Sequence, residues 1–292
     1  MSQGYLERLA ARSAAAGTVL CLGLDPDPDA LPGGFTADVA GLERFVALVI
    51  EAAAPYAAAV KPNLAFYEAL GAPGLAALER LRARIPSGIP VVMDAKRGDI
   101  GSTAARQATA LFDVLGADAV TVNPYLGAEA IAPLLERSDR FAYVLCRTSN
   151  PGAGELQDLR LAADPATGAP EEALHARVAR RAAGWGPGGT VGLVVGATAP
   201  DELRAIRAIA PGLAFLVPGI GAQGGAIEPV LADGPAVATP AGGRPGGGLL
   251  VNVSRAITAA ATAGRAAGPP ADPLERVASA AHDWAARLPV LP

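Results

Sequence analysis

Short runs of β-branched and other apolar residues recur along this chain, with helical patterns between them. Eight such runs predict strands, at residues 18–24, 58–60, 91–93, 119–122, 142–146, 191–195, 215–217 and 249–253. The runs are continuous rather than alternating, as is typical of parallel strands covered on both faces. Eight strands that alternate with helices predict an α/β protein with a single (β/α)8 TIM barrel. An open, doubly wound sheet is the alternative.

The segments between the runs carry apolar residues at helical spacing. They predict helices at residues 42–54, 75–84, 103–115, 171–183 and 200–209. A short amphipathic N-terminal helix, with Tyr5, Leu6 and Leu9 on one side, is also predicted. Residues 150–170 form a long polar connection, and a Gly/Pro-rich insertion lies near residues 234–248, where we expect partial mobility. Residues 1–292 are predicted to form one domain.

Composition and charge argue against several classes of protein. The net charge is −4 without a basic cluster, so nucleic-acid binding is not expected. No apolar stretch is long enough to span a membrane. The charged residues Glu7 and Arg8 lie where a signal peptide would have its apolar core. Cys21 and Cys146 fall in predicted strands, which indicates buried free thiols in a reducing compartment. We therefore expect a cytoplasmic protein.

Lysine is scarce, and both lysines lie at predicted strand ends. The chain has 24 Lys and Arg residues, of which only Lys61 and Lys96 are lysines. An arginine stays protonated at any working pH, whereas a lysine ammonium can release a proton. Catalytic residues of barrels come from the C-terminal ends of the strands. The two lysines are therefore candidates for chemistry that arginine cannot perform.

The same rule selects the other candidate residues at the strand ends. They are Asp25, Asn63, Asp94, Asp99, Asn123, Arg147, Thr148, Ser149, the loop from Pro218 to Gln223, Ser254 and Arg255. Strand alternation directs Asp94 and Lys96 to the same side, into the barrel mouth. Neighbouring carboxylates keep Lys96 protonated, which suits a general acid or a stabiliser of negative charge. A structural ion-pair cluster at the barrel rim is the alternative interpretation.

The loops after strands 7 and 8 indicate a phosphate site. The first, PGIGAQGG, is glycine-rich, so its backbone N–H groups can approach an anion, and the second supplies Arg255. His175 and His282 lie in helical stretches, away from the strand ends. The sequence therefore gives no support for a histidine-activated nucleophile or a metal hydrolase, and it predicts no metal site.

Six motifs, in chain order, resemble one known family. They are GLDPDP, VKPN, DAKRGDIGSTA, RTSNPGA, VPGIGAQGG and NVSRAI. Together they resemble orotidine 5′-phosphate decarboxylase, in the form of its mycobacterial-type (type 2) branch. The resemblance implies a cofactor-free decarboxylation of orotidine 5′-phosphate to uridine 5′-phosphate, the last step of de novo pyrimidine nucleotide synthesis.

The resemblance also implies roles for particular residues. Lys96 would protonate C6 of the pyrimidine, Asp94 would face the substrate carboxylate, and Lys61 would complete the charge network. Asp99, with Ile100 and Thr103, would reach into the neighbouring subunit's site, which implies a homodimer. The remaining substrate-binding candidates are Asp25, Asn63, Ser149, Pro218, Gly221, Gln223 and Arg255.

Two other functions stay open from the sequence. One is a metal-dependent sugar-phosphate decarboxylase or epimerase with the same strand-3 signature. The other is a non-catalytic nucleotide-binding barrel that keeps the phosphate site. The presence of Asp94, Lys96 and Asp99 together argues against the second, because a protein that only binds could discard them.

Overall fold

Eight parallel strands form the centre of the structure, a computed structural model that describes residues 3–166, 168–221, 223–262 and 272–291. The strands are β1 Leu20–Leu24, β2 Ala59–Pro62, β3 Val92–Arg97, β4 Ala119–Val122, β5 Phe141–Arg147, β6 Val191–Val195, β7 Ala214–Val217 and β8 Leu250–Val253. They pair in the order β2-β1-β8-β7-β6-β5-β4-β3. Parallel bridges from Val60 to Val91 and from Asn63 to Asp94 join β2 to β3. The predicted barrel is confirmed, and an open sheet is excluded.

Helices surround the barrel and fill the connections. They are α1 Tyr5–Ala16, α2 Val39–Ala53, α3 Leu64–Glu68, α4 Gly71–Arg84, α5 Gly101–Ala108, α6 Ala132–Leu135, α7 Gly154–Gln157, α8 Leu174–Ala182, α9 Pro200–Ile209, α10 Ile227–Asp233, α11 Arg255–Thr258 and α12 Pro273–Arg287. The helix predicted at residues 103–115 is α5 followed by a π-helical turn, Thr109–Val114. Strand β3 extends to Arg97, beyond the predicted end at residue 93.

The barrel interior is a packed core that α1 closes at the amino ends of the strands. Tyr5, Leu6 and Leu9 are buried there, as the amphipathic pattern predicted. The Tyr5 ring stacks on Phe141 at 4.7 Å, and its hydroxyl lies 3.2 Å from that of Tyr143. A second apolar layer packs the helices against the outside of the strands. Side chains therefore fill the base of the barrel, and the mouth at the opposite end is left for a site.

The insertion at residues 234–248 lies at the base of the barrel. The amide of Ala238 donates to Pro211 O at 3.0 Å, and that of Ala236 donates to Gly247 O at 2.9 Å. Its last part, Pro245–Gly248, packs on α1. The segment, for which the sequence predicted partial mobility, is thus hydrogen-bonded to the end of the barrel opposite the candidate site.

The long connection after β5 has a compact fold of its own. It contains α7 and two short antiparallel strands, Arg160–Leu161 and Glu172–Ala173. Because Glu172–Ala173 belongs to this ribbon, α8 begins at Leu174 rather than at the predicted residue 171. The connection therefore packs beside the end of β5.

Two further expectations concern the cysteines and membrane-spanning helices. Cys21 and Cys146 are buried and free, and burial raises the pKa of each thiol to about 12. In the part of the chain that the structure describes, no helix combines the length and hydropathy that a membrane span requires.

Candidate active site

Asp94 lies between the two lysines of the chain at the mouth of the barrel. Its Oδ2 accepts a hydrogen bond from Lys61 Nζ at 2.9 Å, and its Oδ1 accepts one from Lys96 Nζ at 2.6 Å. The side chains of Lys61 and Asp94 are 5% and 12% exposed, whereas that of Lys96 is 49% exposed. One ammonium is therefore a buried, fixed charge, and the other faces the open mouth.

The charges of this cluster fix its protonation. Burial by itself would lower the pKa of Lys61, but the negative charges of Asp94 and Asp25 outweigh it and raise that pKa above its usual value. Burial by itself would raise the pKa of Asp94, but Lys61 and Lys96 outweigh it and hold that pKa well below its usual range. Both groups are thus ionised at neutral pH.

Lys96 has an unusual backbone. Within the described ranges it is the only residue other than glycine with a positive φ, at 48°. The pairing of β3 with β4 also shifts in register between Met93 and Arg97. A left-handed conformation costs a non-glycine residue about 1–3 kcal/mol, and such strain is concentrated at functional sites. The strand alternation that placed Asp94 and Lys96 on one side is therefore locally modified by a bulge.

Two polar residues of the mouth lie inside strands, so the rule that selects strand ends did not predict them. Thr121 on β4 donates its hydroxyl to Asp94 Oδ1 at 2.8 Å. Asn252 on β8 has a buried Oδ1 for which the described structure offers no hydrogen-bond partner. The signal was present in the sequence, because each is the one polar residue of an otherwise apolar run, AVTV and LVNV.

Asp25 and Arg255 mark the side of the mouth between β1 and β8. Both line a cavity of about 500 Å³. Asp25 Oδ1 is buried and has no hydrogen-bond partner among residues that the structure covers. In the loop after β7, Gly221 has a φ of 83°, and a Cβ there would lie 3.3 Å from Ala256 Cβ. The predicted phosphate loops are thus neighbours, with the guanidinium-bearing Arg255 at the start of α11.

The ends of β5 and β7 also meet. A Cβ on Gly219 would lie 3.0 Å from Ser149 Cβ and 3.1 Å from Gln223 Oε1, so only glycine permits this approach. Pro218 accepts a backbone hydrogen bond from Ala197 at 2.8 Å. The structure therefore brings together Ser149 and Gln223, two of the substrate-binding candidates that the resemblance implies.

The loop that carries Ser149 is anchored to the connection after it. Arg147 donates two hydrogen bonds to the Asp158 carboxylate, at 2.9 and 3.0 Å. The Thr148 amide donates to Gln157 Oε1 at 2.8 Å. His175 packs beneath this loop, with Nδ1 2.9 Å from the backbone oxygen of Gln157. It is a buried residue of α8, in the helical stretch that the sequence predicted.

Asp99 does not join the charge cluster of its own chain. No hydrogen bond or ion pair connects it to Lys61 or Lys96 in the described parts of the chain, and its Oδ1 accepts from the Ile100 amide at 2.7 Å. Ile100 is 65% exposed, and Thr103 is exposed on α5. One chain thus brings together three of the four charged groups of the predicted network.

Asn63 has a structural task at the end of β2. Its side-chain oxygen accepts from the Ala65 amide at 3.3 Å and caps α3. Its backbone pairs with Asp94 across the barrel closure. Among the described residues, no group of three or more His, Cys, Asp and Glu side chains could hold a metal ion.

Comparison with known proteins agrees with the motifs. Residues 18–268 match the model of the orotidine 5′-phosphate decarboxylase / HUMPS family. The chain belongs to this family. It is 48% identical over 254 residues to the orotidine 5′-phosphate decarboxylase of Thermomicrobium roseum, covering 87% of this chain and 86% of that one. It is 47% identical over 238 residues to that of Roseiflexus sp., covering 82% of each.

A solved structure of the same family shares the barrel. The OMP decarboxylase of Leishmania donovani is 38% identical, with a TM-score of 0.79 and coverage of 97% of both chains. The barrel fold is therefore common to the two proteins, and the resemblance of the motifs to orotidine 5′-phosphate decarboxylase is confirmed at the level of the family.

Proposed function

We propose that this chain decarboxylates orotidine 5′-phosphate to uridine 5′-phosphate. The observation that carries the proposal is the Asp94 carboxylate held between Lys61 and Lys96 at the barrel mouth. Relatives that are 43% to 48% identical are named orotidine 5′-phosphate decarboxylase, which supports the same activity here. The form of the strand-3 motif, DAKRGDIGSTA, favours the mycobacterial-type (type 2) branch.

Lys96 supplies the proton in this reaction. When the bond between C6 and the carboxylate breaks, carbon dioxide leaves and the electron pair stays on C6. The ammonium of Lys96 stabilises that negative charge and then transfers a proton to C6. Asp94 holds this ammonium in place through the 2.6 Å contact. Because Lys96 is half exposed, it can take up a new proton from solvent after product release.

The other residues bind and orient the substrate. Arg255, Gln223 and the backbone at Gly221 hold the phosphate. Asp25 Oδ1, which is buried and has no partner among the described residues, accepts a hydrogen bond from a ribose hydroxyl. The pyrimidine binds near the remaining candidates, which are Asn63, Ser149 and Pro218. Binding energy from the phosphate, remote from C6, orients the ring over Lys96.

The active form is a homodimer in which Asp99, Ile100 and Thr103 enter the partner's site. The support is that Asp99 is separate from its own chain's cluster, while Ile100 and Tyr125 are large and exposed, at 65% and 82%. Exposed apolar side chains of this kind mark protein interfaces. Residues 1–292 act as one catalytic unit, and the buried free thiols favour a cytoplasmic location.

A spectroscopic assay tests the activity. The native protein should cause a loss of absorbance and release carbon dioxide when mixed with orotidine 5′-phosphate, with or without EDTA. A requirement for metal would instead favour the sugar-phosphate enzyme. Binding of uridine 5′-phosphate in calorimetry without turnover would favour a binding protein. Near-normal turnover by Lys96→Arg would contradict the role of Lys96, because a guanidinium is a poor proton donor.

A further inference from the structure

The hydroxyl of Thr121 makes three hydrogen bonds directly beneath the reactive lysine. Thr121 is 1% exposed in the middle of β4. Its Oγ1 accepts from the Ala95 and Lys96 amides, both at 3.0 Å, and donates to Asp94 Oδ1 at 2.8 Å. A threonine hydroxyl has one donor and two acceptor positions, so its capacity is fully used. The direction of its O–H is thereby fixed toward the carboxylate.

These contacts connect the strand bulge at Lys96 to the Asp94 carboxylate. Consecutive amides of a regular strand point in opposite directions, so one oxygen can accept from both Ala95 and Lys96 only where the strand is bulged. The bulge is where Lys96 takes its φ of 48°. The carboxylate oxygen that Thr121 contacts is the one that also binds Lys96 Nζ. A single hydroxyl therefore holds both the backbone and the side-chain partner of Lys96.

We propose that Thr121 is a positioning residue that sets the place of the Lys96 ammonium relative to the reacting carbon. This inference rests on the proposed decarboxylation. Thr121 does not itself need to touch the substrate, because it acts through Asp94 and the Lys96 backbone. Its loss should therefore slow the chemical step more than it weakens the binding of the nucleotide.

Three variants test the proposal. Thr121→Val keeps the shape but removes the hydroxyl, and Thr121→Ser keeps the hydroxyl. The control is Thr190→Val, because Thr190 is equally buried and its Oγ1 has no hydrogen-bond partner in the described structure. The measurements are kcat and KM for orotidine 5′-phosphate, the Kd of uridine 5′-phosphate by calorimetry, and thermal unfolding. If Thr121→Val does not fold, Thr121→Ala takes its place.

For Thr121→Val we expect kcat to fall about 100-fold, the effect of a misplacement near 1 Å, while KM and the Kd of the product change far less. Thr121→Ser should recover most of the turnover, and Thr190→Val should be as active as the native protein. A folded Thr121→Val with native kcat, or a Thr121→Ser as slow as Thr121→Val, would overturn the positioning role. A native protein without turnover would instead overturn the proposed function itself.

Discussion

Lys61 Nζ lies 2.9 Å from Asp94 Oδ2, and both side chains are almost completely buried. The pair is asymmetric. Asp94 has a second cationic partner in Lys96, whereas the charge of Lys61 is balanced by Asp94 and, through space, by Asp25. Lys61 thus acts as a fixed internal cation that keeps Asp94 ionised, whereas the half-exposed Lys96 ammonium is held by Asp94 at the open mouth, where a substrate can meet it.

Replacement of Lys61 by methionine should change the pH dependence of the enzyme. The positive charge of Lys61 is the largest influence that lowers the pKa of Asp94, and burial opposes it. Without that charge, the pKa of Asp94 rises and the carboxylate is protonated at a higher pH. The acid limb of kcat/KM should therefore move to higher pH in Lys61→Met. The control variant Arg80→Met, at an exposed residue, should keep the acid limb of kcat/KM at its native pH. The same native acid limb in Lys61→Met would contradict this account.

The strain at Lys96 predicts a conflict between stability and activity. Lys96→Ala and Lys96→Gly both remove the ammonium and should both lose about 10³-fold or more in kcat. Only glycine adopts a φ of 48° without strain, so Lys96→Gly should be more stable to denaturant than Lys96→Ala by about 0.5–1 kcal/mol.

A helix provides the control for this comparison. Glu79 is exposed in α4, and there glycine should be less stable than alanine by about 1 kcal/mol. The sign of the difference should thus reverse between the two positions. Equal stabilities of Lys96→Ala and Lys96→Gly would show that the backbone at Lys96 stores no strain.

The sequence predicted the barrel and most of the mouth for a simple physical reason. Parallel strands place their C-terminal residues at one end, so Lys61, Asp94 and Lys96 could be brought together from their positions alone. Thr121 was not predicted because it lies within a strand rather than at its end. The conformation of Lys96 was not predicted because a bulge shifts the register of β3. The position of residues 234–248 depends on packing against α1, which no local pattern encodes.

The proposed dimer can be tested by mixing two inactive proteins. Lys96→Ala lacks the proton donor of its own barrel, and Asp99→Asn lacks the carboxylate that it would give to its partner. Random reassembly makes half of the dimers hybrids, each with one intact site, so activity should return to about a quarter of the native value. Neither variant alone should recover activity after the same treatment. A mixture that stays inactive, although native mass spectrometry detects hybrids, would place Asp99 in its own subunit's site.

Arg207 is a buried cation that stabilises the base of the barrel. It is 6% exposed, and its guanidinium donates to Ala210 O and Leu213 O at 2.8 Å and to Gly234 O at 2.5 Å. The same group lies 3.5 Å from the centroid of the Phe215 ring. Its hydrogen bonds thus connect the end of α9 to the residue before β7 and to the first residue of the insertion before β8.

Arg207→Met should therefore destabilise the fold without touching the site. The variant keeps an apolar stem but removes the guanidinium donors from the buried carbonyl groups of Ala210, Leu213 and Gly234, so the free energy of unfolding should fall by about 3 kcal/mol. Arg204→Met, one turn earlier on α9, removes an arginine that is 65% exposed and should change it by about 0.5 kcal/mol or less. Urea denaturation measures both, and kcat at a temperature where both variants are folded should stay native. Equal stabilities of the two variants would mean that the Arg207 hydrogen bonds add nothing beyond those of a surface arginine.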